Sequence, residues 1–361
     1  MPPSDPGSRP AGAASTLLAI GDEKDFDSFR KFCRRRRDFR PGTMCFKAAS
    51  YSALLDGNLP PVGTDRLVAF LFFPFEYWDR HIEPRNYKGV YANRSFQTKF
   101  VRFWKEAEKA VQGAYRSRRI TYVNPPGRLA AVRDKEWVKS VASRAGVPVP
   151  RSYATRKVRD ILAMLDGGHK LYVKVRCGSM GKGITCLEEG RWMTNFRFRK
   201  GKILSRKSDY GWTFVNVTGN TAFLRELLGQ YILIEEAVDP LLVGGRKFDL
   251  RMYVYRDEVL YVYGRTNEAQ AITTNISQGA RGEKKSFPKL LPQRQLQAAQ
   301  RHAVETVRAL GLTFAGVDMM LCSDGQTSRM LEVNAFPGFP RTRRYNLSRF
   351  LAAKLMKEHA R

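Results

Sequence analysis

The sequence predicts a mixed α/β fold, with both helices and strands in each domain. Short apolar runs with strand patterns alternate with helical patterns along most of the chain, which is typical of α/β domains. Hydrophobic residues make up 43% of the 361 positions, enough for cores in two or three domain-sized units. No apolar run approaches the roughly 20 residues of a membrane-spanning helix, and the N-terminus lacks a signal-peptide pattern. We therefore expect a soluble cytoplasmic protein.

The first part of the chain predicts a tail and a small domain. Residues 1–14, rich in Pro, Gly and Ala, are expected to form a flexible tail. An α/β domain is expected over 15–125, since it opens with the strand "STLLAIGD" and contains the helical stretch "SFQTKFVRFWKEAEKAVQGAYRSR". Pro125, Pro126 and Gly127 then break regular structure and predict a linker.

The remainder of the chain carries further helical and strand patterns. A helix in "DKEWVKSVASR" is followed by Gly146 and Pro148, which favour its end. Two long strands, "KFDLRMYVYR" and "EVLYVYGRT", precede a polar loop over 274–285. The helix "QRQLQAAQRHAVETVRALG" and a strand pair over 314–335 complete the pattern.

The charge is unusual: 63 basic and 34 acidic residues give a net charge of +29. Basic clusters recur in "KFCRRRRDFR", "YRSRRI", "FRFRKGK" and "PRTRRYNLSR". Such a field attracts polyanions. The clusters are either a solvated basic face or a surface for an acidic protein, a nucleic acid or a phosphorylated partner. Five scattered cysteines without a C-x-x-C pair indicate reduced thiols, and no zinc or His-based site is visible.

The strand pair near the C-terminus carries the most informative polar residues. In "RMLEVNA", the alternation of a strand puts Glu332 and Asn334 on one face. The turn "CSDGQTS" predicts a hairpin that sets Asp318 of "GVDMML" across from Glu332. Crowded carboxylates resist burial unless a cation joins them, and Mg²⁺ prefers such hard oxygen ligands. The alternative is a solvated face with Asp318 paired to a surface arginine.

Three other stretches carry weaker patterns. In "YVKVRCGSMGKGI", Lys174 lies on a strand, and the following glycines either bring backbone amides to a phosphate or form an ordinary hairpin turn. In "QYILIEEAVDPL", Glu235 or Glu236 either accepts a hydrogen bond from an adenine amino group or is an exposed strand end. In "GGRKFDLRMYVYR", Lys247, Asp249 and Arg251 share the polar face, which suits polyphosphate or forms a salt-bridge ladder.

The order of these stretches resembles the ATP-grasp superfamily. The stretches are "DK…GVPVP", "YVKV…GSMGKGI", "ILIEEAV", "KFDLRMYV", "GVDMML" and "LEVNAFPGF". The similarity covers about residues 120 to 340 and is strongest to carboxylate–amine ligases such as ribosomal-protein glutamate ligases, glutathione synthetase and tubulin–tyrosine ligase. It implies a Rossmann-like pre-ATP-grasp domain over 15–125, a central subdomain with the glycine-rich loop over 126–235, and a C-terminal subdomain with the metal site over 236–361.

The resemblance also implies roles for residues at matching positions. ATP is expected to contact Lys135, Lys174, Gly178, Ser179, Gly181, Lys182, Gly183, Glu235, Glu236, Ala237, Val238 and Asp249. Arg251, Arg265 and Asn275 are the implied catalytic residues, and Asp318, Glu332 and Asn334 are the implied Mg²⁺ ligands. Where the family shows a Gly-Gly pair, this chain has Gly279 and Ala280, and "KSDYGWTFVNVTGN" has no counterpart.

The implied reaction transfers the γ-phosphate of ATP to a carboxylate, and an amine then attacks the acyl phosphate to form an amide. The expected partners are a carboxylate, an amine and an acidic peptide or protein, with nucleic-acid contact and homo-oligomers also open. Two alternatives are a kinase for a highly anionic small molecule, such as an inositol phosphate, and a non-catalytic nucleic-acid or acidic-protein binder.

Overall fold

The computed structural model of the protein describes residues 15–22, 28–39, 43–206, 213–340 and 346–359. The expected tail over 1–14 lies outside the described residues, as does part of the unmatched stretch "KSDYGWTFVNVTGN".

The chain forms two compact units. The first contains Met1–Trp78, Lys105–Pro126 and Gly338–Arg361, and the second contains Asp79–Trp104 and Gly127–Pro337. The domain boundaries expected at 125/126 and 235/236 stay predictions.

The elements are numbered in chain order. The strands are β1 Ser15–Ile20, β2 Met44–Ala49, β3 Arg66–Leu71, β4 Asn86–Lys88, β5 Arg119–Tyr122, β6 Ser152–Tyr153, β7 Leu171–Val175, β8 Ile184–Glu188, β9 Arg191–Thr194, β10 Arg197–Arg199, β11 Lys202–Arg206, β12 Val215–Asn216, β13 Ile232–Glu236, β14 Leu242–Val243, β15 Arg246–Tyr255, β16 Glu258–Glu268, β17 Arg281–Gly282, β18 Phe314–Leu321 and β19 Ser328–Asn334. The helices are α1 Phe29–Cys33, α2 Tyr51–Leu55, α3 Phe75–Tyr77, α4 Arg94–Ala114, α5 Pro126–Ala131, α6 Lys135–Arg144, α7 Val158–Asp166, α8 Thr221–Leu228, α9 Gln293–Ala309 and α10 Leu347–His359.

The first unit contains a parallel sheet in the order β2-β1-β3-β5. Every residue of β1 is buried, as expected for a central parallel strand with covered faces. Aromatic rings form much of the core, with the ring centroids of Phe32 and Phe70 5.1 Å apart and those of Phe70 and Phe72 4.2 Å apart. The strand predicted in "STLLAIGD" is therefore confirmed as β1.

The second unit contains two larger antiparallel sheets. One has the order β12-β9-β8-β7-β13-β6, and the other has the order β17-β16-β15-β18-β19, with β14 paired to β15. On β15, Phe248, Leu250, Met252 and Val254 are fully buried, which confirms the apolar face predicted from the alternation. The two long strands, the strand pair over 314–335 and the helix now seen as α9 are also confirmed.

One local expectation is wrong. Pro126 does not belong to a linker without regular structure but is the first residue of α5. A proline fits this position because its fixed φ suits a helix and the first N–H of a helix needs no intrahelical partner.

A small third sheet in the second unit has the order β10-β11-β4. Its register aligns Arg197 with Leu204 and Leu204 with Lys88, so these side chains form one row across the sheet. Among the described residues, no helix combines the length and apolar character required to cross a membrane.

Candidate active site

A cavity of about 640 Å³ is lined by residues from both large sheets of the second unit and from α6. Most of the predicted site residues line it: Lys135, Lys174, Gly178, Ser179, Gly181, Lys182, Glu235, Glu236, Ala237, Val238, Asp249, Arg265, Asn275, Asp318 and Glu332. Three predicted residues, Gly183, Arg251 and Asn334, are not among the lining residues of the described chain.

The β18–β19 hairpin brings the two predicted carboxylates together. Asp318 is paired with Glu332 in the register of the hairpin, which confirms the predicted cross-strand placement. Asn334 lies two residues beyond Glu332, opposite Gly316, and is half-buried. Alternation along β19 gives Asn334 and Glu332 the same face.

Two arginines hold the carboxylate of Asp318. The Arg251 side chain donates to Asp318 through Nε and, at 2.9 Å, through Nη2, and Arg265 Nη2 lies 3.0 Å from Asp318 Oδ2. Arg265 also donates from Nε to Asp249 Oδ1 at 2.7 Å. Asp318 therefore pairs with arginines, as the alternative expected, but these are not surface residues, since the Arg251 and Arg265 side chains are 14% and 8% exposed.

The pKa values of the two buried aspartates shift in opposite directions. Burial alone would raise the pKa of Asp318, but the charges of Arg251 and Arg265 outweigh it and lower that pKa. For Asp249, burial raises the pKa and the pairing with Arg265 offsets this only in part.

Two lysines approach the same cavity from different elements. Asp134 caps α6 by accepting hydrogen bonds from the N–H groups of Glu136 and Trp137. Lys135 therefore begins the helix at the cavity, where its ammonium donates to the carbonyl of Gly178 and lies 3.1 Å from Glu332 Oε1.

Lys174, on β7, reaches the cavity beside the end of β13. Its ammonium is 2.7 Å from Glu235 Oε2. Glu235 is 1% exposed and also forms an ion pair with Lys139 of α6. Burial would raise the pKa of Glu235, but Lys139 and Lys174 outweigh it and lower this pKa to about 2.

The end of β13 has its own hydrogen bonds. Glu236 accepts from the hydroxyl of Tyr153 at 3.2 Å and contacts His169 Nδ1 at 3.2 Å. The N–H of Ala237 donates to the carbonyl of Lys170 at 2.8 Å. The role of this segment in binding adenine stays a prediction.

The glycine-rich loop between β7 and β8 requires its glycines. Gly183 has a φ of +69°, and a Cβ there would lie 2.4 Å from Val175 Cγ2. Gly181 also has positive φ, and a Cβ there would lie 3.2 Å from Asn275 Cγ. Since Ser277 Oγ donates to the carbonyl of Met180 at 3.1 Å, the loop rests against the segment that begins at Asn275.

The residues in the cavity fit a nucleotide and a hard cation. Lys135, Lys174 and Arg265 are cationic groups for phosphate oxygens, and the glycine-rich loop allows close backbone approach. Asp318 and Glu332 offer the oxygen donors that Mg²⁺ prefers. Within the described ranges, no three or more His, Cys, Asp or Glu side chains cluster as a metal site, so the predicted set rests on two carboxylates and one amide.

The sequence reasoning missed Lys139 and placed Lys247 only on the polar face of its strand. Lys139 follows Lys135 by one helical turn, so helical spacing pointed to it. Lys247 lines the cavity and donates to the carbonyl of Ala271, and burial lowers its pKa to about 8.

Comparison with known proteins agrees with this geometry. The family model described as "YheC/D like ATP-grasp" matches residues 142–356. A tetrahydromethanopterin:alpha-L-glutamate ligase of Methanocaldococcus jannaschii is 24% identical over 248 residues, 67% of this chain and 72% of that protein. A probable alpha-L-glutamate ligase of Trichodesmium erythraeum is 25% identical over 217 residues, 60% of each chain, so this chain spans less than two thirds of that relative.

A solved structure of the ATP-grasp ligase PsnB, complexed with minimal precursor, Mg and ADP, has the same fold. It aligns with a TM-score of 0.56 and 13% identity, covering 96% of this chain and 98% of PsnB. The predicted ATP-grasp fold and the resemblance to carboxylate–amine ligases are confirmed, and with more than half of its residues matched by the family model, this chain belongs to the YheC/D-like ATP-grasp family.

Proposed function

We propose that this chain is an ATP-dependent ligase that activates a carboxylate as an acyl phosphate and joins it to an amine on a peptide or protein. The observation that carries the proposal is the cavity itself. Cationic side chains, a glycine-rich loop and the Asp318–Glu332 pair line one space. The relatives' names add support, because both contain the words alpha-L-glutamate ligase.

In the first step, a carboxylate oxygen of the substrate attacks the γ-phosphorus of ATP. The bond between that phosphorus and the β,γ-bridging oxygen breaks, giving ADP and the acyl phosphate. Lys135, Lys174 and Arg265 bind phosphate oxygens and stabilise the charge that develops there. Arg251 holds Asp318 in place by donating hydrogen bonds to its carboxylate.

In the second step, the amine attacks the acyl carbon, inorganic phosphate leaves and the amine loses a proton. Asn275 lies beside Gly181 and borders the cavity, which suits a contact with the acyl phosphate or the acceptor. With the loop over 178–183 closed, water has less access to the reactive intermediate.

Mg²⁺ belongs to the proposal as the partner of Asp318, Glu332 and Asn334. When bound, it neutralises phosphate charge and orients the outer phosphates. Glu332 is the more accessible of the two carboxylates, since its side chain is 30% exposed and that of Asp318 is 6% exposed. The Mg in the PsnB complex is consistent with this assignment.

The adenine is proposed to lie at the end of β13, read by Glu236 and by the backbone of Ala237 and Val238, because Glu235 is buried and both of its oxygens pair with lysines. Asp249 and Lys182 complete the nucleotide contacts of the proposal. The proposal also places the glycine-rich loop in a central subdomain over 126–235 and the cation ligands in a C-terminal subdomain over 236–361. The reaction is proposed to take place in the cytoplasm, where ATP is supplied.

The ligase activity predicts an added residue mass on a peptide. Purified protein incubated with ATP, Mg²⁺, pooled amino acids and host peptides should yield peptides heavier by one amino-acid residue, detected by mass spectrometry. Omitting Mg²⁺ or replacing ATP with AMP should abolish the product. ADP formation that needs no amine, together with a product heavier by one phosphate, would instead identify a kinase and contradict the proposal.

We further propose that the acceptor is acidic. The exposed face of the small sheet, here called the basic sheet face, is formed by Lys88, Arg197, Arg199, Lys202, Leu204 and Arg206. Its cations attract carboxylates, and Leu204, 39% exposed, offers an apolar contact that an amino-acid side chain can use.

Changing the basic sheet face should weaken modification of acidic peptides. The variant Arg197→Glu/Arg199→Glu should raise the KM for a Glu-rich peptide at least about tenfold at low salt, because two attractions become repulsions. The matched control, Arg36→Glu/Arg37→Glu, changes two exposed arginines of the first unit and should change this KM little. Equal activity of the wild type on neutral and acidic peptides at low salt would contradict an acidic acceptor. Preferential binding of an RNA oligomer to the basic sheet face would contradict it as well.

A further inference from the structure

Lys139 is a buried lysine that the proposed reaction does not use. It follows Lys135 by four residues on α6, so both side chains leave the helix on the side of the cavity. Its side chain is 5% exposed. Burial of an ammonium is costly unless a partner compensates its charge, and that partner is Glu235.

Glu235 is shared between two lysines that come from different elements. One carboxylate oxygen contacts Lys139 of α6, and the other lies 2.7 Å from Lys174 of β7. Among the described residues, neither the Lys139 ammonium nor the Glu235 carboxylate makes a hydrogen bond of normal geometry. Ion pairing with Glu235 and with the two lysines therefore compensates the burial of these charges.

The pairing of Glu235 with both lysines affects the free-energy cost of moving Lys174. With only Lys174 and Glu235, the pair would be neutral, and moving Lys174 towards a phosphate would leave Glu235 buried without a partner. Breaking a buried pair in this way is strongly unfavourable. With Lys139 present, the three groups carry a net positive charge, and Glu235 keeps a partner when Lys174 moves.

We propose that Lys139 is a positioning residue for nucleotide binding: it holds Glu235 so that Lys174 can exchange between this carboxylate and the phosphate oxygens of the nucleotide. The inference rests on the proposed function, because it assumes that a nucleotide occupies the cavity. It assigns Lys139 no contact with the substrate, since Lys139 is not among the described residues that line the cavity.

The test is calorimetric titration of ADP with Mg²⁺ into folded variants. Lys139→Met should weaken ADP binding by at least about tenfold, because Glu235 then retains Lys174. The double variant Lys139→Met/Glu235→Gln should bind within about threefold of the wild type, since Lys174 no longer has a carboxylate to leave. Arg144→Met removes an exposed charge from the same helix and should leave ADP binding unchanged.

The outcomes separate this inference from the proposed function. A wild-type chain that does not bind ADP would overturn the proposed function. Normal wild-type binding, together with wild-type affinity in Lys139→Met or with no recovery in the double variant, would overturn the role of Lys139 alone. If Lys139→Met does not fold, Glu235→Gln takes its place: affinity equal to or above that of the wild type supports the role, and a tenfold loss contradicts it.

Discussion

Replacing Glu332 with alanine is expected to abolish ADP release while leaving the fold intact. Glu332 lines the cavity, and its carboxylate is 3.1 Å from Lys135. In the proposed reaction it binds Mg²⁺ at the outer phosphates, so its loss removes charge stabilisation from the transition state. Removing one such group typically costs about 100-fold to 1,000-fold in turnover. A coupled assay of ADP release, with ATP, Mg²⁺ and both substrates, measures the effect.

The stability of this variant should change little. Its ion pair is partly exposed, and such pairs contribute about 0–1 kcal/mol. Arg329→Ala, at a neighbouring position of β19, is the control and should retain turnover. Near-normal ADP release by a folded Glu332→Ala protein would contradict the proposed cation site.

Replacing Asp318 with alanine is expected to have a large effect on stability as well as on turnover. Arg251 and Arg265 are buried and share the carboxylate of Asp318. Removing one partner from a buried ion pair typically costs about 3–5 kcal/mol, because it leaves uncompensated charge. Arg265 retains Asp249, so Arg251 is the arginine that loses most. Urea unfolding of the variant and the wild type measures the difference.

The effect of Asp318 should depend on pH. The folded state lowers the pKa of Asp318 below its usual value of 3.8. The stability that the ionised Asp318 carboxylate gives to the folded state is therefore present above pH 3.8 and is lost as the pH falls below that value. The difference in unfolding free energy between wild type and Asp318→Ala should shrink on acidification. An unfolding midpoint at pH 7 equal to that of the wild type would show that the arginines do not need this carboxylate.

The β18–β19 hairpin is a feature that could be predicted from the sequence. Alternation along β18 and β19 and the polar turn between them were enough to predict that Asp318 faces Glu332. The two strands are close in sequence, and a hairpin has few possible registers. The apolar face of β15 was predictable for the same reason, since alternation depends only on local geometry.

The partners of these charged side chains were not predictable in the same way. Asp318 pairs with Arg251, 67 positions away, and Glu235 pairs with Lys139, which lies nearly a hundred positions before it. Taken together, the stretches of the candidate site hold several lysines, arginines and acids. Nothing in one sequence tells which lysine reaches which acid.

The sequence by itself determined the class of fold, the order of the motifs, and the polar and apolar faces of the strands that carry them. These features follow from local periodicity and turn chemistry. Only the tertiary structure decided that Asp318 is held by two arginines and that Glu235 is shared by two lysines. The reason is physical: burial makes the free energy of a charge depend on its neighbours in space, and packing from distant segments selects those neighbours.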